Sequence, residues 1–320
     1  MILLGIDIGT SGAKCVAVTE KGIVVAKANH GYPLETPRPG WAEQDPDWWI
    51  EAAFMSIRAV TEQLDPSEIA GISFSGQMHG LVPLDGCGNV VRKSILWCDQ
   101  RTDRQCETIE RIAGGQQALL KLTNNRMLTG YTGGKLLWLR EKETESFECT
   151  EVFLCPKDYL RYRMTGVICM DATEASGTGL FDTVHRTWCW ELIDRLHLSR
   201  SLFPQVLESI QQAGSVTVEA AKGTGLLSGT PAFAGGGDAV VQAFGSGLIQ
   251  EGTVGVVIGT AGNVSMGFKS YMNNPDGKLQ MFCGVIPGSY LSFGATQTAG
   301  GALRWFRDQL SRDILEQSQR

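Results

Sequence analysis

The chain has 320 residues, 43% apolar and 19% charged, with a formal net charge of −6. That length is more than one core usually spans, so two domains are expected. The negative balance argues against a broad nucleic-acid footprint, which needs clustered Lys and Arg, and no segment reaches the roughly 18 apolar residues of a membrane span. Nine cysteines, none spaced C-x-x-C, and four histidines read as reduced thiols used as small apolar residues, without a structural zinc. The expected compartment is the cytoplasm, because Asp7 interrupts the apolar start and no basic leader or cleavage site accompanies it.

Apolar runs at 2–8, 14–18 and 23–28, separated by Gly9-Thr10-Ser11-Gly12 and Glu20-Lys21-Gly22, predict a three-strand β-meander. Asp45-Pro46 marks the start of a helix of about 18 residues. Its apolar positions are Trp48, Ile50, Ala53, Ile57, Val60 and Leu64. A strand is predicted at 69–75, then a polar turn at 76–80 and a hairpin around Asp85-Gly86. Residues 152–154 read as a strand, 157–164 as a helix and 188–198 as an amphipathic helix. A strand at 231–234 ends at Gly235-Gly236-Gly237-Asp238, with a helix from 239 to 247. The order indicates an α/β fold whose sheet has an antiparallel part.

Residues 5–18, GIDIGTSGAKCVAV, have a counterpart at 255–268, GVVIGTAGNVSMGF. Strand, Gly-Thr turn and strand recur, which points to a duplicated fold with unequal copies. In the first copy Asp7 ends a strand just before a glycine hairpin with two hydroxyls. Such amides can approach phosphate oxygens closely, and the carboxylate suits Mg²⁺. The alternative is an ordinary hairpin. Asp238 either accepts a hydroxyl proton during group transfer or caps the following helix. Gln77-Met78-His79-Gly80 either lines a polyol pocket or is structural. Gly133-Gly134-Lys135-Leu136 lacks the Ser/Thr and the leading Gly of a P-loop.

In order along the chain, GIDIGTSGAK (5–14), SGQMHG (75–80), ILWCDQRT (95–102), GGKLLWLRE (133–141), CPKDYLRYRMTG (155–166), GGGD (235–238), GTAG (259–262) and GGALRWFRD (300–308) resemble the FGGY carbohydrate kinases, most closely their xylulokinase branch. The resemblance implies an actin-like, ribonuclease-H-like fold in two lobes with the site between them. Residues 1–245 would be the sugar-binding domain, and 246–320 the start of a nucleotide-binding domain with its remainder missing. ATP and Mg²⁺ would be bound, and the γ-phosphoryl group would pass to the 5-hydroxyl of D-xylulose. Another sugar or polyol, or a sugar-binding fragment without turnover, is the alternative. Asp238 would be the general base. Asp7 would organise Mg²⁺–ATP, bordered by Gly9, Thr10, Ser11, Lys14, Gly259 and Thr260. Gln77, Met78, His79 and Asp99 would meet the sugar, although Asp99 and Arg101 equally suit an internal ion pair. A homodimer is admitted. Family members commonly carry Asn or Gln after the base, where this chain has Ala239.

Overall fold

The computed structural model describes residues 1–250, 252–259, 262–296 and 298–310. The opening meander forms as its turns require. Strands β1 (Ile2–Ile8), β2 (Gly12–Thr19) and β3 (Val24–Gly31) pair antiparallel. Along β1 the buried residues Ile2, Leu4, Ile6 and Ile8 alternate with more exposed ones. Each buried side chain contributes about 1.5–3 kcal/mol. Helix α1 (Pro46–Thr61) covers their face, started by Asp45, whose carboxylate accepts from Asp47 N at 3.0 Å. Losing such a cap costs about 0.5–2 kcal/mol.

The helical phase corrects one expectation. Trp49, not Trp48, is fully buried, in a stripe with Ala53, Ile57 and Val60. Trp49 Nε1 donates to Gln44 Oε1 at 3.0 Å, whereas the Trp48 ring lies 5.5 Å from Lys93 Nζ. Two adjacent tryptophans cannot share one helix face, and the stripe packed on the sheet, Trp49, Ala53, Ile57 and Val60, takes the second one inward.

Strand β4 (Ile69–Gly76) pairs parallel to β1. The Asp85 turn exists, its carboxylate accepting from Cys87 N and Asn89 N at 2.8 Å. The expected hairpin is present and short: Leu84 bridges Val90, with Asp85 N donating to Asn89 O and Val91 N to Pro83 O, both at 2.9 Å, while Val82–Leu84 also pairs with Val152–Leu154. Helices α2 (Thr132–Lys142), α3 (Pro156–Thr165) and the short α4 (Ala172–Ser176) follow. The helix expected over 188–198 shortens to Trp190–Arg195. Trp188 pairs in a two-residue strand with Phe181, and His197 sits at φ 53°, which ends the helical path.

Strands β5 (Gln212–Ser215), β6 (Pro231–Phe233) and β7 (Gly236–Gly237) complete the first sheet, in the order β5-β6-β4-β1-β2-β3 with β7 also on β4. Helix α5 (Asp238–Gly245) follows directly on β7. A second sheet contains β8 (Val254–Ile258), β9 (Gly262–Phe268), β10 (Gln280–Cys283) and β11 (Tyr290–Thr296), in the order β8-β9-β11-β10. Helix α6 (Gly300–Leu310) comes last among the described residues. β10 is tied to the first part by Asn125, whose side chain donates to Met281 O at 2.7 Å and accepts from Met281 N at 2.8 Å. The sequence repeat is therefore a structural one, as β8 and β9 pair antiparallel like β1 and β2. Six of the nine cysteines are buried, in the role of small apolar residues. No described helix is long and apolar enough to cross a membrane.

Candidate active site

In an open α/β sheet, ligands meet the chain beyond the carboxyl ends of the strands. Here Asp7 stands opposite Ser75 across the parallel β1–β4 pair. A cleft of about 920 Å³ reaches this point from the adjoining sheet face, lined by Gly5, Val16, Ser73, Phe233 and Phe244 as well as by Asp7, Ser75, Gly235, Asp238, Ala239 and Gln242. Asp238 is the first residue of α5, not the cap before it, so the helix begins one residue earlier than expected. Its Oδ1 accepts from Ala239 N at 2.7 Å. Burial, and then the Asp7 carboxylate, push its carboxyl up to about 7.

The glycines before Asp238 are each required by a neighbour. Gly235 has φ 73°, and a Cβ there would run into the Phe74 carbonyl. A Cβ on Gly236 would meet Thr173 Oγ1 at 3.1 Å, and one on Gly237 would meet the Met78 side chain. Met78 is accordingly a buried wedge, packed with Val240, Ala243 and Phe282.

His79 has φ 68°, and its Nδ1 lies 2.7 Å from Gly177 O. A carbonyl partner requires the proton on Nδ1, which leaves Nε2 as the ring acceptor. Burial first, and the Lys135 ammonium second, push the imidazole down to about 3, so it is neutral. Tyr131 and Phe282 flank the ring at 4.8 and 6.0 Å.

The glycine hairpin is pinned from three sides. Tyr32 Oη donates to Gly9 O at 2.5 Å, Gln44 Nε2 donates to Thr10 O at 2.8 Å, and Trp97 Nε1 donates to Thr10 Oγ1 at 3.1 Å. Ser11 and Lys14 are exposed, and Lys14 is the register partner of Asp7 on β2.

Of the expected sugar contacts only Asp238 lines this cleft; Met78 and His79 stand outside its lining, as do Gln77 and Asp99. Gln77 is 1% exposed; its Nε2 donates to Gln44 Oε1 at 2.9 Å, and its Oε1 accepts from Thr10 Oγ1 at 3.4 Å. It extends β4 and links the hairpin to the Met78–His79 loop. Asp99 is fully buried and accepts from Ala42 N at 2.7 Å and from Arg101 Nη2 at 2.6 Å. Arg101 also pairs with Glu43 at 2.7 Å and lies over the rings of Trp41 and Trp138. The ion-pair reading of Asp99 is the one the structure shows. Gly259 is exposed, and its carbonyl accepts from Gly300 N at 2.9 Å, away from the cleft lining. Thr260 lies outside the described residues.

Other residues come into view only in the structure. Trp97 stands 46% exposed beside the hairpin. Lys135 is buried, donating to His79 O and Gly130 O, both at 2.7 Å, so it fixes the His79 loop from beneath. Behind β7 lies a buried charged group. Lys157 pairs with Asp158 at 2.6 Å and Asp171 at 2.7 Å, and Arg161 pairs with Asp158 at 2.6 Å. Trp97 and Lys135 had a sequence signal only in belonging to the ordered motifs.

The FGGY family of carbohydrate kinases, N-terminal domain, matches residues 2–245. The xylulose kinase of Lactococcus lactis is 36% identical over 314 residues, covering 98% of this chain and 62% of that protein. The Bacillus subtilis xylulose kinase is 37% identical over 307 residues, covering 95% and 61%. Among solved structures, the xylulose kinase of Rhodospirillum rubrum superposes with a TM-score of 0.92 at 28% identity, covering 98% of this chain and 64% of that one. A glycerol kinase from Plasmodium falciparum, solved with ADP, shares the fold at 20% identity, with a TM-score of 0.86 and coverage of 99% and 66%. The fold is that of the actin-like sugar kinases. The chain spans less than two thirds of the length of the curated relatives it matches first.

Proposed function

The chain belongs to the FGGY family of carbohydrate kinases, and from that premise we propose that it serves transfer of the ATP γ-phosphoryl group to a sugar hydroxyl, with D-xylulose giving D-xylulose 5-phosphate. The observation that carries this reading is the pair Asp7 and Asp238 in one cleft at the ends of parallel-paired strands. Asp238 takes the proton of the attacking hydroxyl, and a carboxyl poised near neutrality suits that task. His79 Nε2 accepts a hydrogen bond from another sugar hydroxyl, since its Nδ1 is committed to Gly177. Gly9 N is spent within the turn, donating to Gly12 O at 3.1 Å, so the Thr10 and Ser11 amides are the ones that face phosphate oxygens, and hairpin rigidity comes from Tyr32, Gln44 and Trp97.

Among the described residues no three His, Cys, Asp or Glu groups gather as a ready metal cage. One strand-end carboxylate nevertheless fits Mg²⁺, which keeps several waters and takes phosphate oxygens as ligands. Asp7 would hold it, directly or through water, and the ion would neutralise charge on the phosphates. Residues 1–245 are assigned to the sugar side and those from 246 to the nucleotide side.

ATP-dependent phosphorylation of D-xylulose, followed by ADP release, is the test. Absence of turnover in a full-length relative carrying these residues, or full turnover in Asp238→Asn, would overturn the reading. A second sugar is favoured by one observation: Ala239 lines the cleft where an amide is expected. Comparing kcat/KM for xylulose, ribulose and gluconate decides between them.

A further inference from the structure

The segment leading into Asp238 is held from behind by a polar frame that the chemistry above leaves unused. Thr173 is fully buried, and its Oγ1 accepts from Gly237 N at 2.8 Å. Thr173 N in turn donates to Asp171 Oδ2 at 2.7 Å. The same carboxylate accepts from Ser209 Oγ at 3.2 Å, and Ser209 O accepts from Gly235 N at 3.0 Å. Asp171 Oδ1 pairs with Lys157 Nζ at 2.7 Å, and Lys157 Nζ and Arg161 Nη1 both reach Ala234 O at 3.3 Å. Ala234, Gly235 and Gly237 are thus gripped by one frame, and Gly236 passes close against Thr173.

Ordinary helix capping does not account for this. The cap residue of α5 is Gly237, which has no side chain, and Thr173 takes the Gly237 amide itself from 64 residues away. Nor is stability a sufficient reason, because buried ion pairs are often no better than apolar packing of the same volume. What the frame fixes is the backbone one residue before the base. Misplacing a reacting group by about 1 Å can cost on the order of a hundredfold in rate.

We propose that Thr173, oriented by Asp171, is a positioning residue for Asp238. The proposal rests on Asp238 facing the sugar, as argued above. The 320-residue chain is compared as wild type, Thr173→Val, Thr173→Ser and Asp238→Asn, by calorimetry with D-xylulose and by amide exchange at Gly237. The expected result is about three- to tenfold weaker sugar binding in Thr173→Val, near wild-type binding in Thr173→Ser, and Gly237 exchange at least about tenfold faster in Thr173→Val alone. Wild-type affinity in Thr173→Val while Asp238→Asn is weakened overturns the proposal. Equal loss in Thr173→Ser also overturns it, since packing rather than the acceptor would then be responsible. If Asp238→Asn binds like wild type, or the wild type does not bind D-xylulose, the reading of the site falls. The exchange measurement then decides the tether alone: faster exchange in Thr173→Val supports it, and unchanged exchange rejects it. Should Thr173→Val not fold, Thr173→Cys, with a weak sulfur acceptor of similar size, takes its place.

Discussion

The hairpin at 5–18 and its counterpart at 255–268 share the pattern of strand, Gly-Thr turn and strand, yet Asp7 occupies the place that Val257 holds in the other. The first is flanked on both sides, by β3 and by the parallel strand β4, and α1 covers one face. The second starts at an edge: among the described residues β8 pairs only with β9, and Val256 and Ile258 are 62% and 71% exposed. Local sequence makes a hairpin in both places. The neighbours supplied by the rest of the chain make one of them a candidate site.

The largest effect expected from that contrast is on turnover. Asp238→Asn should lower ATP-dependent phosphorylation by about 10²–10⁴-fold. Val257→Asp, which places a carboxylate at the matching position of the second hairpin, should change D-xylulose affinity by less than about twofold, because no parallel strand adjoins β8 among the described residues. A large effect of Val257→Asp would dissolve the distinction between the hairpins.

The next effect is on pH. Since Asp238 must lose its proton to act as base, kcat/KM should rise roughly tenfold per unit below a midpoint near 7. His79, already neutral above about 3, adds no second limb. Stability moves the other way. The folded carboxyl of Asp238 is raised above its ordinary value, so its contribution is present at low pH and is lost as pH climbs from about 4 through about 7. Denaturation midpoints of wild type and Asp238→Asn at pH 5 and pH 8 check the sign; a wild type that gains on the variant with rising pH contradicts it.

Smaller effects compare the turns and strands directly. A Cβ at Gly12 would lie 2.7 Å from the His30 backbone carbonyl, so Gly12→Ala should cost about 1–3 kcal/mol in urea unfolding. Gly262→Ala meets the Thr296 hydroxyl at 2.8 Å, a side-chain atom that can turn away, and should cost less. Smallest of all, Ile8→Val should cost about 0.5–1.5 kcal/mol at its fully buried site. Ile258→Val should stay within about 0.5 kcal/mol. Equal costs within either pair would mean that the two hairpins are supported alike.

Much of this was legible in the residues because it is local. Glycine turns, alternation along β1, the Asp45-Pro46 helix start, and carboxylates at the ends of strand-like runs are set by backbone sterics within a few residues. Even the repeat needed only self-comparison. Which side chains of a loop are buried was not local. Gln77 turned inward to Gln44, 33 residues away, and Asp99 reached back 57 residues to Ala42. Trp48 and Trp49 were equivalent by composition until packing on the sheet chose the face that carries Trp49. Thr173 had no visible tie to Asp238, because hydrogen bonds formed across 64 residues leave no periodicity to read. The sequence by itself determined the hairpins, the strand-end carboxylates and their order. Only tertiary structure decided which polar groups were buried as framework and which were left facing the cleft, since burial depends on what packs above each residue.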